Sequence, residues 1–146
     1  RFFTVYGPRN RPDMAISRFA DDIVNGREIK VVGSGNEIKR DWTFVDDIVT
    51  GILKTLDSVE KFGFEVFNLG GSKPVSVPYF VSLLEKSLGK KAKITRIPLP
   101  VGDVPITYAD CSKAKKLLGW EPSTSVEVGV QKFVDWLKEK KLKIKV

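Results

Sequence analysis

Histidine is absent from this chain of 146 residues, and cysteine occurs once, as Cys111. Without histidine, the Ser-His and Cys-His nucleophile systems and the histidine-based zinc sites are excluded. One cysteine cannot form an intramolecular disulfide, and its lone presence is typical of a protein in a reducing compartment. We therefore predict no metal centre, a cytoplasmic location, and a structural role for Cys111 as a small residue near a helix start.

Long hydrophobic runs are also missing. No stretch approaches the roughly 18 consecutive apolar residues that a membrane span needs, and no leader resembles a secretory signal. The composition, with 42% apolar and 29% charged residues, is typical of a globular protein. The length fits a single domain that closes its own core. We expect one module over residues 1–146.

The net charge of +7 suggests an anionic partner, but much of it lies at the carboxyl terminus. Residues 138–145 hold five lysines against one glutamate. Such a run is usually a solvated tail, and it lacks the interleaved aromatic residues that stack nucleic-acid bases. A stand-alone basic module for nucleic acid therefore remains the alternative hypothesis rather than the favoured one.

Periodicity and turn residues predict a mixed α/β module with short strands. The strand-like segments are residues 1–5, 28–32, 40–45, 64–69 and 92–97. The predicted helices start at a cap on Asp13, at Asp46 and Asp47 with a core face of Ile48, Ile52, Leu53 and Leu56, at Val77, at Asp110 or Ser112, and before Val126. Because the chain opens within a β-rich run, we expect that strand's partners upstream, and an incomplete doubly wound sheet here.

Three loops combine charged side chains with turn residues. Residues 4–13 join a strand end to a helix start, a natural anion site, with Arg11 beside it. Residues 39–47 place Arg40 before Trp42 and Phe44, and residues 100–105 hold Asp103 on a stiff turn. The alternatives are solvated loop arginines, helix-start charges at Asp46 and Asp47, and a turn aspartate.

A glycine-rich stretch, Gly33-Ser34-Gly35, begins like a dinucleotide fingerprint. The position of the third glycine is Ile38, and no strong helix follows, so we reject that interpretation.

Three blocks carry a resemblance to a known family: RFFTVYGPRNRPDMA at 1–15, RDWTFVDDIVTGI at 40–52 and GDVPITYADCSKAKKLLGW at 102–120. In these blocks the chain resembles the extended short-chain dehydrogenase/reductase family, and within it the UDP-glucuronate 4-epimerases. The resemblance covers essentially the whole chain.

The resemblance implies the carboxyl-terminal, UDP-sugar-binding part of a Rossmann-type enzyme, in which residues 1–7 end the Rossmann domain. The family oxidises sugar C4 transiently with NAD, using a tyrosine of a Tyr-x-x-x-Lys motif as base. Here the residues four after Tyr6, Tyr79 and Tyr108 are asparagine, leucine and serine. The resemblance therefore places NAD and catalysis in an amino-terminal domain upstream, implies that this chain alone is inactive, and allows a homodimer of the longer enzyme.

The resemblance also assigns binding roles by position. Thr4 matches the residue that faces the sugar, and with Arg11 it resembles an arrangement for a hexuronate carboxylate. Ile29, Lys30 and Val32 match the strand that holds uracil, Arg40 the arginine on the diphosphate, and Asp103 a carboxylate near the ribose and phosphate. Pro100 and Thr107 depart from the residues of many relatives, which puts the diphosphate clamp in question. UDP-glucose 4-epimerases and nucleotide-sugar decarboxylases or dehydratases remain alternatives.

Overall fold

The computed structural model describes residues 1–33 and 35–143. In chain order its strands are β1 (Thr4–Tyr6), β2 (Glu28–Val32), β3 (Lys39–Arg40), β4 (Trp42–Phe44), β5 (Val75–Ser76) and β6 (Lys93–Ile97). Its α-helices are α1 (Ala15–Val24), α2 (Val45–Leu56), α3 (Val77–Leu88), α4 (Ser112–Leu118) and α5 (Val126–Lys143), and Val59–Lys61 form a short 3₁₀ turn.

The strands pair in twos. β1 runs parallel to β4 with Thr4 opposite Trp42, and β2 runs parallel to β6 with Glu28 opposite Lys93. β3 and β5 are antiparallel. Parallel strands normally belong to larger sheets that are covered on both faces, so these pairs confirm the α/β class with short strands and an incomplete sheet.

The main core forms where β1 and β4 meet α3 and α5. Trp42 stacks on Phe80 with ring centroids 3.9 Å apart, and Tyr6 packs edge-on against both rings. Val130 and Phe133 of α5 are fully buried against this group, as the apolar stripe of the last helix predicts. Aromatic rings packed in these geometries stabilise a core beyond their buried area. The core therefore fixes the position of Trp42.

A second core gathers α2, α4 and the segment that leads into α5. Its largest member, Trp120, is buried and donates its indole N–H to the Asp47 carbonyl oxygen at 3.0 Å. The Asp47 carboxylate accepts from the Ser123 hydroxyl at 2.8 Å and the Thr124 N–H at 3.0 Å. Asp47 therefore opens α2, as predicted, and also fastens the approach to α5. Cys111 is buried in this core, which agrees with its predicted structural role.

Two predicted boundaries are wrong. Helix α1 begins at Ala15, and its N-cap, Met14, makes no side-chain cap. Asp13 instead pairs with the guanidinium of Arg11 at 2.8 Å, and that local ion pair takes the carboxylate that a cap would use. Residues 64–69 form no strand, because the segment runs beside Arg1 with few ladder bonds, including the Leu69 N–H to the Arg1 carbonyl at 2.9 Å. Other predicted ends hold: α3 stops at Gly89 and α4 at Gly119, both left-handed.

The predicted core face of α2 is also largely wrong. Ile48 is buried, whereas Ile52, Leu53 and Leu56 are 48%, 54% and 64% exposed. With Val49, these three residues form an apolar surface that we call the outer face of α2. No described element covers it, so a helical stripe read from sequence here faces outward.

Some predictions lie partly outside the described residues, namely the turn that includes Ser34 and the last part of the lysine-rich tail. Among the described residues, no helix is long and apolar enough to cross a membrane.

Candidate functional site

A cavity of about 230 Å³ opens between β1, α1, β2, β4 and α3. Its walls include four residues that the sequence assigned to a binding site, Thr4, Lys30, Val32 and Arg40. The remaining wall is formed by Met14, Ala15, Phe19, Ile38, Trp42 and Val77. We call this space the Arg40 cavity. It joins residues that are up to 36 positions apart in the sequence, from Thr4 to Arg40, at one mostly apolar surface.

The fold positions Arg40 at the end of β3, where the strand turns into β4. One terminal nitrogen, Nη1, donates to the carbonyl oxygens of Lys39 at 3.0 Å and Pro105 at 3.1 Å. The other, Nη2, lies 3.0 and 2.9 Å from the two carboxylate oxygens of Asp103. The side chain is only 16% exposed. Arg40 therefore lies in a fixed orientation at the edge of the cavity, paired with Asp103, which the sequence assigned to the same site.

Trp42 forms a rigid wall of the cavity because it is clamped in the aromatic core. Its ring is stacked on Phe80, and its indole N–H has no hydrogen-bond partner in the part of the chain that the structure describes. Buried donors of this kind are rare, since an unmade hydrogen bond is expensive in the interior. The ring therefore supplies a flat apolar surface that can stack on a planar ligand group, and it holds an unused donor.

The alternation along β2 divides the three residues assigned to uracil. Lys30 and Val32 line the cavity, whereas Ile29 lies 1% exposed in the main core on the opposite face of the strand. The side chain of Ile29 therefore cannot reach the cavity. Within the described residues β2 pairs only with β6, so its other edge keeps backbone donors and acceptors for a ligand.

Arg11 lies apart from the cavity lining. Its guanidinium is exposed and donates to Asp13 at 3.1 and 2.8 Å and to the Met14 sulfur at 3.7 Å. Met14 itself lines the cavity, so Arg11 stands at the rim. The structure thus brings Thr4 to the cavity but does not bring the predicted Thr4 and Arg11 pair together there.

One residue that sequence reasoning missed is Asp41, which is fully buried between Arg40 and Trp42. Its Oδ2 accepts from the backbone N–H groups of Ala109 at 2.7 Å and Ser72 at 3.2 Å. Its own backbone N–H donates to the Thr107 hydroxyl at 2.9 Å. Asp41 therefore ties two distant loops to the strand that carries Arg40 and Trp42. A charged residue flanked by two wall residues was the available signal.

The described residues do not offer a cradle for a dinucleotide. The turn after β1, at Gly7, is filled, because a Cβ there would lie 2.6 Å from the Val45 side chain. The tyrosines fit no catalytic base either: burial above all, and then the nearby carboxylates of Asp47 and Glu127, raise the pKa of Tyr6. The hydrogen bond that Tyr79 donates to Glu127 raises the pKa of Tyr79. No step of NAD chemistry can therefore be built on these residues.

A second, more polar cavity of about 280 Å³ lies elsewhere, lined among others by Gly71, Tyr108, Ser112 and Glu121. None of the predicted site residues lines it. We call it the Ser112 cavity, and it serves below as a comparison. Among the described residues, no group of three or more acidic or cysteine side chains is placed to hold a metal ion.

Comparisons with known proteins agree with the residues at the Arg40 cavity. Residues 1–70 match the NAD-dependent epimerase/dehydratase family. A UDP-glucuronate 4-epimerase of Thermodesulfobacterium geofontis is 47% identical over 95% of this chain and 42% of its own length. The crystal structure of the UDP-glucuronic acid 4-epimerase of Bacillus cereus, with UDP-glucuronic acid and NAD, is 36% identical, with a TM-score of 0.87 over 96% of this chain and 44% of that one.

The structure of MoeE5 in complex with UDP-glucose and NAD is 35% identical and has a TM-score of 0.88, over 97% of this chain and 46% of that one. The chain thus spans less than half the length of these relatives. Sequence and fold agree across almost all of its own length. The chain belongs to the NAD-dependent epimerase/dehydratase family.

Proposed function

We propose that this chain is the UDP-sugar-binding part of an NAD-dependent UDP-sugar 4-epimerase, and that its sugar is UDP-glucuronate. The carrying observation is the Arg40 cavity, which unites Thr4, Lys30, Val32 and Arg40. These are positions that the family resemblance assigns to the sugar, the uracil and the diphosphate.

The cavity is smaller than the roughly 300–1,000 Å³ of a typical small-molecule site. It therefore suits one part of the ligand. Uracil fits the space between the free edge of β2, whose backbone matches its donors and acceptors, and the ring of Trp42. The diphosphate then lies at Arg40, at the exit, and the sugar extends past Thr4. A guanidinium suits this role because its planar fork matches phosphate oxygens.

NAD supplies hydride transfer at sugar C4 in this chemistry. We assign that step to a separate NAD-binding unit, because the described residues fit neither the dinucleotide nor a catalytic tyrosine. The work of this chain is then to bind the nucleotide and to hold the sugar in place, since positioning alone can contribute much of the rate enhancement.

The outer face of α2 supports such a unit as a partner. Its leucines and isoleucine are about half exposed, and Phe2 beside them is 52% exposed. The two-stranded parallel sheet of β1 and β4 lies next to this face and has room for further strands. We propose that the NAD-binding unit covers this surface. The homodimer and the cytoplasmic location remain predictions.

The acid sugar rests on less than the substrate class does. Thr4 faces the cavity, but Arg11 is held by Asp13, so the hydroxyl rather than the guanidinium is available. The UDP-glucuronate 4-epimerase relatives favour UDP-glucuronate. UDP-glucose, or a decarboxylase or dehydratase reaction on a related nucleotide sugar, remains the alternative.

Nucleic acid as a partner has little support from the lysines of α5. Lys138 donates to the Ser87 carbonyl at 3.0 Å, and Lys132 and Lys140 lie 5.2 and 5.3 Å from aromatic ring centroids. These contacts are made within the chain. They leave no aligned row of free cations for a phosphate backbone on this part of the helix.

The proposal is tested by calorimetric titration of UDP into the chain and into Arg40→Ala. The matched control is Arg27→Ala, because Arg27 is also ion-paired, to Asp21 and Asp22, but lies away from the cavity. We expect binding to the parent and the control, and clear loss in Arg40→Ala. Absence of UDP binding to the parent would refute the proposal.

The remaining parts have separate tests. The reading frame upstream of the codon for Arg1 should encode a glycine-rich βαβ start and a Tyr-x-x-x-Lys segment. The protein in which this chain is joined to that unit should turn over UDP-glucuronate in preference to UDP-glucose. The reverse preference would overturn the acid-sugar assignment and leave the binding site intact.

A further inference from the structure

The guanidinium of Arg40 is already occupied. Its two terminal nitrogens make four contacts of 2.9–3.1 Å, two to backbone carbonyls and two to the carboxylate of Asp103. A diphosphate that approaches this guanidinium therefore meets a carboxylate where one of its own oxygens would bind. The phosphate must either avoid Arg40 or replace Asp103.

The two partners of the pair are held unequally. Arg40 is 16% exposed and its Nη1 is fastened to the carbonyls of Lys39 and Pro105, whereas the Asp103 side chain is 40% exposed. Asp103 lies in residues 100–106, which are all exposed, and its backbone makes a local turn bond to Pro100 at 3.1 Å. Asp103 can therefore leave with a small rearrangement, while Arg40 stays in place.

Charge leads to the same conclusion. With Asp103 bound, the pair has no net charge, and a diphosphate with about two negative charges gains little from a neutral pair. When the carboxylate moves away, the same guanidinium becomes a fixed cation with pre-oriented donors. The site attracts the diphosphate only in that second arrangement.

We propose that Asp103 occupies the diphosphate position of the ligand-free site and that the incoming diphosphate displaces it from Arg40. This inference rests on the proposed function and deepens it. Asp103 becomes a specificity-determining residue: a nucleoside without a diphosphate cannot replace the carboxylate, so it gains nothing from Arg40. The ion pair thereby selects nucleotides that carry a diphosphate over the bare nucleoside.

The test compares inorganic pyrophosphate and uridine as separate probes on the parent chain and on Asp103→Asn. The amide keeps the shape of the carboxylate but not its charge. The matched control is Asp13→Asn, because Asp13 is also an exposed aspartate paired with an arginine. We expect Asp103→Asn to bind pyrophosphate about two- to fivefold more tightly, the range of a partly exposed ion pair. Uridine affinity and the control should not change.

A second measurement follows the displacement in the parent itself. The Val104 N–H donates to Asp103 Oδ1 at 2.8 Å. Pyrophosphate should shift the Val104 amide resonance by removing that acceptor, and uridine should not. Weaker or unchanged pyrophosphate binding by Asp103→Asn, or an unmoved Val104 resonance, would overturn the inference. If the parent binds UDP in that case, the proposed function stands; if the parent binds no UDP, the proposed function has failed as well.

Discussion

The Arg40 cavity and the outer face of α2 lie on the same continuous segment, residues 39–56, yet they are built in opposite ways. At the cavity, Arg40 has both terminal nitrogens paired and Trp42 is 8% exposed. Along α2, Ile52 and Leu53 are about half exposed and no described element packs on them.

The difference shows what each surface is suited to bind. A rigid wall with a few oriented polar groups suits a small ligand, because specificity comes from fixed donors and acceptors. An extended apolar surface on a helix suits a protein partner, because removal of apolar area from water is what drives such an association. A single segment thus links nucleotide binding on one side to the proposed NAD-binding unit on the other.

The largest expected effect is on the rigid wall. Trp42→Ala removes the ring that stacks on Phe80. We expect a loss of about 3–5 kcal/mol in the free energy of unfolding, as for other large-to-small changes in a core. Denaturant titration measures it, with Trp136→Ala as the control, because Trp136 only packs at the margin of the core. Equal effects of the two substitutions would show that the wall is not special.

The next effect is on the charge at the cavity. Arg40→Ala should weaken UDP binding about ten- to a hundredfold, since charge-assisted bonds to a phosphate contribute about 1.5–3 kcal/mol. Arg40→Lys should recover only part of the loss, because an ammonium lacks the planar fork. Titration of UDP into both variants is the measurement. Unaltered affinity in Arg40→Ala would remove Arg40 from the site.

On the outer face the comparison predicts almost no effect on folding. Leu53→Glu should change the free energy of unfolding of the chain by less than about 0.5 kcal/mol, because the side chain is exposed. Ile48→Glu, one turn away and buried, should be strongly destabilising. The same Leu53→Glu should impair association with the NAD-binding unit in a pull-down of separately expressed parts. A large loss of stability in Leu53→Glu would mean that this face is covered within the chain.

The smallest effect concerns the rim. Arg11→Ala should alter UDP affinity by less than about twofold, since Arg11 forms an exposed ion pair with Asp13 and such pairs contribute little. The comparison is UDP titration beside Arg40→Ala. A loss as large as that of Arg40→Ala would show that Arg11 turns into the site when ligand binds.

Much of the local structure could be predicted because the chain states it locally. Glu28–Val32 alternates and forms β2, and Gly89 and Gly119 end helices in the left-handed region that glycine adopts freely. The positions of Lys30, Val32 and Arg40 around one cavity came from the family resemblance, and the fold brings them together.

The errors have a common physical origin in contacts that sequence periodicity does not record. An apolar stripe on α2 predicts a covered face, but it does not say whether the cover belongs to this chain. Asp13 could cap a helix or pair with Arg11, and the pair forms. The clamp made by Asp41 joins residues 72 and 109 to position 41, a separation that no local pattern reveals.

The central claim is that the Arg40 cavity, and not another surface, receives the nucleotide. The most direct test is to titrate UDP into the isotopically labelled chain and follow backbone amide resonances. We predict that the largest shifts occur at Lys30, Val32, Arg40 and Trp42, with little change around the Ser112 cavity. Shifts concentrated at Gly71 and Ser112, or no shifts at saturating UDP, would contradict this account.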